Sequence, residues 1–374
     1  MRKIAGILVM ILVLTSCGSA SSTTPPLQES PADSPTAASP SVVPTVTASP
    51  SSTPQASPEP EPKVWVDIYP AVQWSPPSPL NILVLGSDGR TYNPRRCSYS
   101  GRADVIHVVS INPEEGTGTI LNFPRDSWVF VPPKGAYGRI NEGLYYGGPE
   151  GMTATVERLT GIPIHYTVIT TFCGLIRMVD AVGGLDIRVP STMDTDPASG
   201  FGCAWGEGPG ANERCSKDDI PESGDVIGHC EPPRIIREGL QRLDGCAVLK
   251  FARQRHGLPG GDFDRTTNQA RVLLAGLKRF RELASTPAGL LNLLQIFKEH
   301  VRFNASCTGI VAITGCRDAI GLALLARTIS PTGVESYTLR GSAGMAGEAS
   351  VVFLSSSNAA IYRDVKTDAV INGR

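Results

Sequence analysis

No apolar run in this chain is long enough to span a bilayer: the longest, Ile4 to Leu14, falls well short of the roughly 20 residues a membrane helix needs. No two cysteines are spaced C-x-x-C, which removes the tight thiolate pairing typical of structural zinc. A net charge of -1 lacks the broad basic excess of a nucleic-acid binder, so none is expected as a partner. No internal repeat is evident. Large apolar side chains are almost missing from 18–62, which is mostly Pro, Ser, Thr and Ala. Such a segment cannot bury enough surface to offset its ordering entropy, and its prolines make it a semi-extended tether.

What is present begins with Arg2 and Lys3 ahead of the apolar run, and Leu14-Thr15-Ser16-Cys17 behind it. This resembles a bacterial lipoprotein signal peptide, which implies cleavage before Cys17, lipidation of its thiol and attachment to the outer face of the cell membrane. The expected organisation is a signal peptide over 1–16, a lipidated tether over 17–63 and one folded domain over 64–374. Eight further cysteines, an even number in an exported chain, suggest up to four disulfides whose pairing stays open. Cys203, Cys215 and Cys230 fall in an irregular, Gly-rich insertion over about 193–233.

The folded part alternates strand and helix signals. Asn81 to Gly86, Asp104 to Ile111 and Thr119 to Phe123 are short apolar runs bounded by turn residues, with a hairpin expected over Asn112 to Gly118. Helical spacing follows at Pro149 to Leu159, stopped by Gly161, and at Phe172 to Val182, stopped by Gly183-Gly184. Strands are expected at Tyr166 to Thr170 and Leu185 to Val189, and helices at Asp244 to Phe251, Thr266 to Ala284 and Asp318 to Ile329. The pattern predicts an α/β class, with helices covering both faces of a central mixed sheet.

Four segments carry polar residues that packing does not require: Gly86-Ser87-Asp88, Arg102-Ala103-Asp104, Pro124-Arg125-Asp126 and Leu243 to Arg271. The last brings Arg253, Arg255 and Arg265 together with Asp262, Asp264 and Gln269. An extended 253–255 pair would aim both guanidinium groups to one side. A helix starting near Asp264 or Arg265 would set Arg265 and Gln269 on one face and leave Arg271 outside that arc. Forked, permanently charged arginines suit phosphate oxygens, and ligands bind at strand ends in α/β sheets.

The pieces NILVLGSD, GRADVIHVVSINP, ILNFPRDSWV, GRINEGLYYGGPEGMTATVERLTGIPIHYTVI, MVDAVGGLDIRVP, LDGCAVLKFARQR and GDFDRTTNQ, in that order, resemble the LytR-CpsA-Psr family. The resemblance implies a single α/β domain that moves a glycopolymer from a polyprenyl-pyrophosphate carrier onto a muramic acid hydroxyl of peptidoglycan, through a phosphodiester. It implies Mg2+ on Asp88 and Asp104, and pyrophosphate on Arg102, Arg125, Arg253, Arg255, Arg265 and Gln269. Arg139 stands where the family has a basic residue, and Asp262 matches a functional acid. The lipid tail is expected in an apolar pocket between sheet and helices. Val105, where a small hydroxyl residue is usual, the lipoprotein signal and the cysteine-bearing insertion depart from the family pattern.

Two other functions use the same residues: a hydrolase that lets water replace the sugar hydroxyl, and a non-catalytic polyprenyl-phosphate receptor that regulates envelope assembly and needs the arginines but not Asp88 and Asp104. Plainer roles also compete at single positions. Asp88 could cap a turn, Asp104 could pair with Arg102, Asp126 could brace Arg125, and Asp264 could cap a helix. Asp262, Asp264 and Asp126 all remain open as general base. His107, His165 and His256 read as structural, His107 and His165 as satisfied core groups.

Overall fold

The computed structural model describes residues 74–88, 101–194, 235–255, 258–304 and 317–372. The expected signal peptide, Cys17, the tether, most of the cysteine-bearing insertion and His256 lie outside the described residues, as do six of the eight other cysteines; Cys173 and Cys246 lie within them.

In chain order the elements begin with β1 (Leu80–Ser87), β2 (Ala103–Asn112), β3 (Thr117–Asn122), β4 (Trp128–Val131), β5 (Ala136–Arg139) and α1 (Glu142–Thr160). Next come β6 (Tyr166–Thr171), α2 (Phe172–Ala181), β7 (Leu185–Val189), β8 (Met193–Asp194), β9 (Ile235–Ile236), β10 (Gly239–Leu243) and α3 (Gly245–Arg253). The chain continues through α4 (Asp262–Leu283), α5 (Pro287–His300), β11 (Val301–Phe303), α6 (Arg317–Thr328), β12 (Val334–Thr338), β13 (Gly341–Ala346), β14 (Ala349–Leu354) and α7 (Asn358–Asp368).

Six strands form the central sheet in the order β11-β6-β1-β2-β3-β12. The β1–β2, β2–β3 and β6–β11 pairs are antiparallel, while β1–β6 and β3–β12 are parallel, so the sheet is mixed. Strand alternation sends Leu83, Leu85, Ile106 and Val108 to one face, where Met152 and Val156 of α1 and Val365 of α7 cover them. Leu80, Ile111 and Ile120 go to the other, against Ala270 of α4 and Leu325 of α6. Both faces are therefore clothed by helices, as the alternation of elements predicted.

Element limits move in two informative places. α1 starts at Glu142, ahead of Pro149, because the chain kinks at Gly148 (φ 62°), a left-handed residue that lets two helical pieces join. α4 starts at Asp262, earlier than the apolar periodicity suggested, with Gly261 as its N-cap. The first turn presents Asp262 and Asp264 to the positive end of the helix dipole, which favours acids there.

Candidate active site

The β1–β2 ladder runs in register from Leu80↔Ile111 to Gly86↔Val105 and then slips, so that Ser87 faces Ala103 and Asp104 is the extra residue of a bulge. A bulge re-aims a side chain and twists the strand end. Gly86 permits the close approach: a Cβ there would lie 2.8 Å from Val105 Cγ2. Just beyond the slip, Asp88 N–H donates to the Arg102 carbonyl at 3.0 Å and the Asp88 Oδ1 accepts the Arg102 N–H at 2.9 Å. The first two polar segments are thus locked side by side through backbone, and part of the Asp88 carboxylate caps this turn.

Asp104 is buried and accepts a hydrogen bond from Arg125 Nη1, so its ion-pair partner is Arg125, not Arg102. Burial alone would raise its carboxyl, but the charges of Arg125, Arg253 and Arg265 outweigh that and hold it below the usual 3.8. Around Arg125, burial opposes the charge, while Asp104, Asp126 and Asp262 more than restore it and push its pKa up. Arg265 is depressed, first by burial and then by Arg125 and Arg255, against the pull of Asp262 and Asp104. The Arg125–Asp104 ion pair and the hydrogen bond from Gln269 to the Asp104 carbonyl bring the second, third and fourth polar segments together in one crevice.

α3 and α4 supply the arginine wall. Arg253 is the last residue of α3, so the 253–255 segment is a helix end and not the extended pair expected; the chain leaves the helix at Gln254, the C-cap (φ −59°, ψ 126°). The Arg253 guanidinium lies over the Phe172 ring, 4.4 Å from its centroid, an arrangement that fixes the plane of the group. Arg265 and Gln269 do share the inward face of α4, both buried. Gln269 Nε2 donates to the Asp104 carbonyl at 3.3 Å and the Ala252 carbonyl at 3.1 Å, bracing the bulge against the end of α3.

Arg265 Nη2 lies 2.5 Å from Asp262 Oδ1, yet off hydrogen-bond direction: Arg265 Nε and Nη2, Asp262 Oδ1 and Oδ2, and Arg125 Nε are all buried without a hydrogen-bond partner. Buried donors left open in this way are costly unless an incoming group completes them. Asp264 instead accepts the Gly260 N–H at 2.7 Å, a local role in the loop before α4, while the cap itself is Gly261. Asp126 sits 3.7 Å from Arg125 and 3.5 Å from Arg139, as the bracing role would have it. Arg139 also donates to the Ser350 carbonyl at 2.9 Å, which sets it at the rim. Arg271 is half-buried and bound to Asn268, outside the crevice.

Phe172 and Asn141 were not singled out in the sequence. Asn141 is buried with an unpartnered Oδ1, and its backbone ties Ala103 and Arg125 together. A ring directly after a strand end, as in Thr171-Phe172, is the available signal for the first; only tertiary contacts disclose the second. His165 accepts the Asn81 N–H at 3.0 Å, a satisfied group. His107 is not: both ring nitrogens are buried outside hydrogen-bond geometry, with Asn122 opposite on β3, and burial, partly offset by Asn122, pushes its pKa down to about 4.

Among the described residues no three His, Cys, Asp or Glu side chains gather as a metal cage. The donors that exist are hard carboxylate oxygens at adjacent strand ends, which fit a small cation that keeps waters and takes its remaining oxygens from a phosphate. Among those residues no helix is long and apolar enough to cross a membrane.

A mixed-sheet α/β domain with a buried, arginine-lined crevice at its strand ends defines the class. The chain belongs to the LytR_cpsA_psr family, whose model matches residues 45–365. A polyisoprenyl-teichoic acid–peptidoglycan teichoic acid transferase, TagU of Bacillus anthracis, is 27% identical over 226 residues, 60% of each chain. The match thus spans less than two thirds of that relative. A probable cell wall biosynthesis protein, LcpB of Corynebacterium glutamicum, is 31% identical over 62% of this chain and 48% of its own length. The crystal structure of B. subtilis TagV overlays with a TM-score of 0.57 at 22% identity, covering 78% of this chain and 97% of that one, and shares the fold.

Proposed function

We propose that this protein is a membrane-anchored, Mg2+-dependent phosphotransferase that takes a glycopolymer from a polyprenyl-pyrophosphate carrier and joins it to peptidoglycan. The observation that carries this reading is the convergence of Arg125, Arg253 and Arg265 on Asp104, with Arg255 beside Arg265 and the Nε–H groups of Arg125 and Arg265 buried without a hydrogen-bond acceptor. The name of the Bacillus anthracis relative, which couples a polyisoprenyl-linked polymer to peptidoglycan, supports the same pair of substrates. The anchor would be the lipid on Cys17.

The pyrophosphate would accept from Arg125, Arg253, Arg255 and Arg265, with Arg102 at the mouth of β2, and the arginines would gain most where charge spreads over the phosphoryl oxygens. Asp88 and Asp104 would hold the cation, which when bound neutralises part of that charge. Gln269 holds Asp104 in place. The acceptor hydroxyl oxygen bonds to the sugar-linked phosphorus, the phosphorus bond to the bridging oxygen breaks, and polyprenyl phosphate leaves with the electron pair. The hydroxyl proton passes to a carboxylate. Asp262 fits that step better than Asp264 or Asp126, because it stands among the arginines, paired with Arg265, whereas Asp264 accepts the Gly260 N–H and Asp126 braces Arg125 and Arg139 outside that group.

A seam for the prenyl chain supports the same account. Ile82, Val84, Val105, Val109 and Val168 are only half-buried on the α4 side of the sheet, and Leu273 and Leu277 of α4 pack there. The seam begins at Val105, beside Asp104. Incubating the full chain with a prenyl-pyrophosphate glycan, peptidoglycan and Mg2+ tests the proposal: glycan bound to peptidoglycan through a phosphodiester is expected, and its absence in a competent assay overturns it.

A further inference from the structure

Among the described residues the exposed tyrosines are Tyr137, Tyr145 and Tyr146, at 61%, 62% and 50% exposure. All three lie in the β4–β5 hairpin and the first turns of α1, next to the arginine crevice but outside it. Hairpin alternation puts Tyr137 on the face that carries Arg139 and, across the ladder, Trp128 and Phe130, while Val129 and Gly138 turn inward. Phe130 and Tyr137 meet edge to face with centroids 5.7 Å apart, and Tyr145 and Tyr146 do so at 5.0 Å.

Lys134 joins the two groups. Its Nζ lies 2.6 Å from Glu142 Oε2 and 5.6 Å from the centre of the Tyr146 ring. Arg139, at the root of the hairpin, reaches Asp126, which in turn faces Arg125. The aromatic surface is therefore continuous with the crevice: Tyr137 stands about 7 Å along the strand from Arg139, and Tyr145 about 6 Å along the helix from Asn141.

Solvated rings clustered over 137–146 mark a contact surface rather than scattered exposure. Tyrosine rings beside a locally neutral Lys–Glu pair suit a pyranose, which has an apolar C–H face and hydroxyl edges. A lipid surface would favour aliphatic side chains with excess cations, and a nucleic acid would need a basic excess.

We infer that Tyr137, Tyr145 and Tyr146 form a saccharide platform that seats the peptidoglycan acceptor strand; the inference rests on the proposed transfer. Position selects the acceptor over the donor glycan. Arg265 is carried by α4, whose Ala270, Leu273 and Leu277 pack on the face of the sheet that holds the half-buried apolar seam, whereas α1 packs on the opposite face. In-line displacement brings the attacking oxygen from the side opposite the leaving group.

The test uses the full chain and three probes, a phosphate-free peptidoglycan glycan fragment, a prenyl pyrophosphate and a prenyl-pyrophosphate-linked glycan, titrated by calorimetry, with the transfer assay run on the same preparations. Tyr137→Ala and the double variant Tyr145→Ala with Tyr146→Ala are expected to weaken fragment binding about tenfold. Tyr137→Phe, which keeps the ring, should bind nearly as the wild type does, and prenyl pyrophosphate affinity should be unchanged in all. Because the rings are exposed, melting temperatures should hold; if one of the two variants unfolds, the other carries the test. Fragment binding that is absent in the wild type or indifferent to the tyrosines overturns the platform. So does a loss confined to a lipid-linked glycan, which would assign the patch to the donor. Fragment binding that depends on the tyrosines while no linked product ever forms would keep the platform and sink the transferase reading alone.

Discussion

Arg125, from the turn after β3, donates to the carboxylate of Asp104, the bulged residue of β2. The pair links two strand ends and leaves Arg125 Nε buried with no hydrogen-bond partner, so it is both a brace and an open anion donor. Arg125→Lys keeps the charge but loses the fork. It should lower transfer about 100-fold while Asp104 stays ionised and the fold persists, as kinetics and circular dichroism on the same preparation would report.

Asp88 separates the enzyme from a lipid receptor. Asp88→Ala removes a carboxylate proposed for the cation, together with the cap on the Arg102 N–H. The expected outcome is prenyl pyrophosphate affinity within a few-fold of wild type and transfer reduced about 100-fold or more. Lipid affinity and cellular function both retained by Asp88→Ala would favour a receptor.

Phe172 acts through Arg253. Replacing the ring by leucine removes the cation–π contact at 4.4 Å and should raise the KM for the lipid-linked donor about fivefold. The KM for the acceptor should not move. A Phe172→Tyr variant, which keeps the ring, should restore the donor KM.

His107 makes stability depend on pH. Its folded pKa is lowered from 6.5 to about 4 by burial, so between those values the unfolded chain binds the extra proton and stability falls as pH drops. The full loss, reached near pH 4, is on the order of 3 kcal/mol. His107→Gln should flatten this acid limb in denaturant titrations at pH 7, 5.5 and 4.5; an unchanged slope would place the dependence elsewhere.

Much of this architecture is legible in the sequence, because the periodicity of each run reports which face it buries. The strands from Asn81, Asp104, Thr119 and Tyr166 emerge where alternation and turn residues put them. What stays hidden is set by tertiary contact. The bulge that re-aims Asp104 follows from a one-residue slip opposite Gly86 and Ser87, and no local pattern encodes it. R-x-R alternation predicts an extended Arg253, whereas helix α3, anchored by Asp244 accepting from Ala247 N–H, carries it to the helix end. The choice of Arg125 over Arg102 as the partner of Asp104 depends on where the β3 turn folds back.

The most direct test of the account is transfer in water enriched in 18O, with prenyl-pyrophosphate glycan, peptidoglycan and Mg2+. If the crevice passes the phosphoryl group to a sugar hydroxyl, the new phosphodiester contains no 18O and appears in step with polyprenyl phosphate. Release of glycan phosphate carrying one 18O, with or without peptidoglycan, would contradict the account and make the protein a pyrophosphate hydrolase.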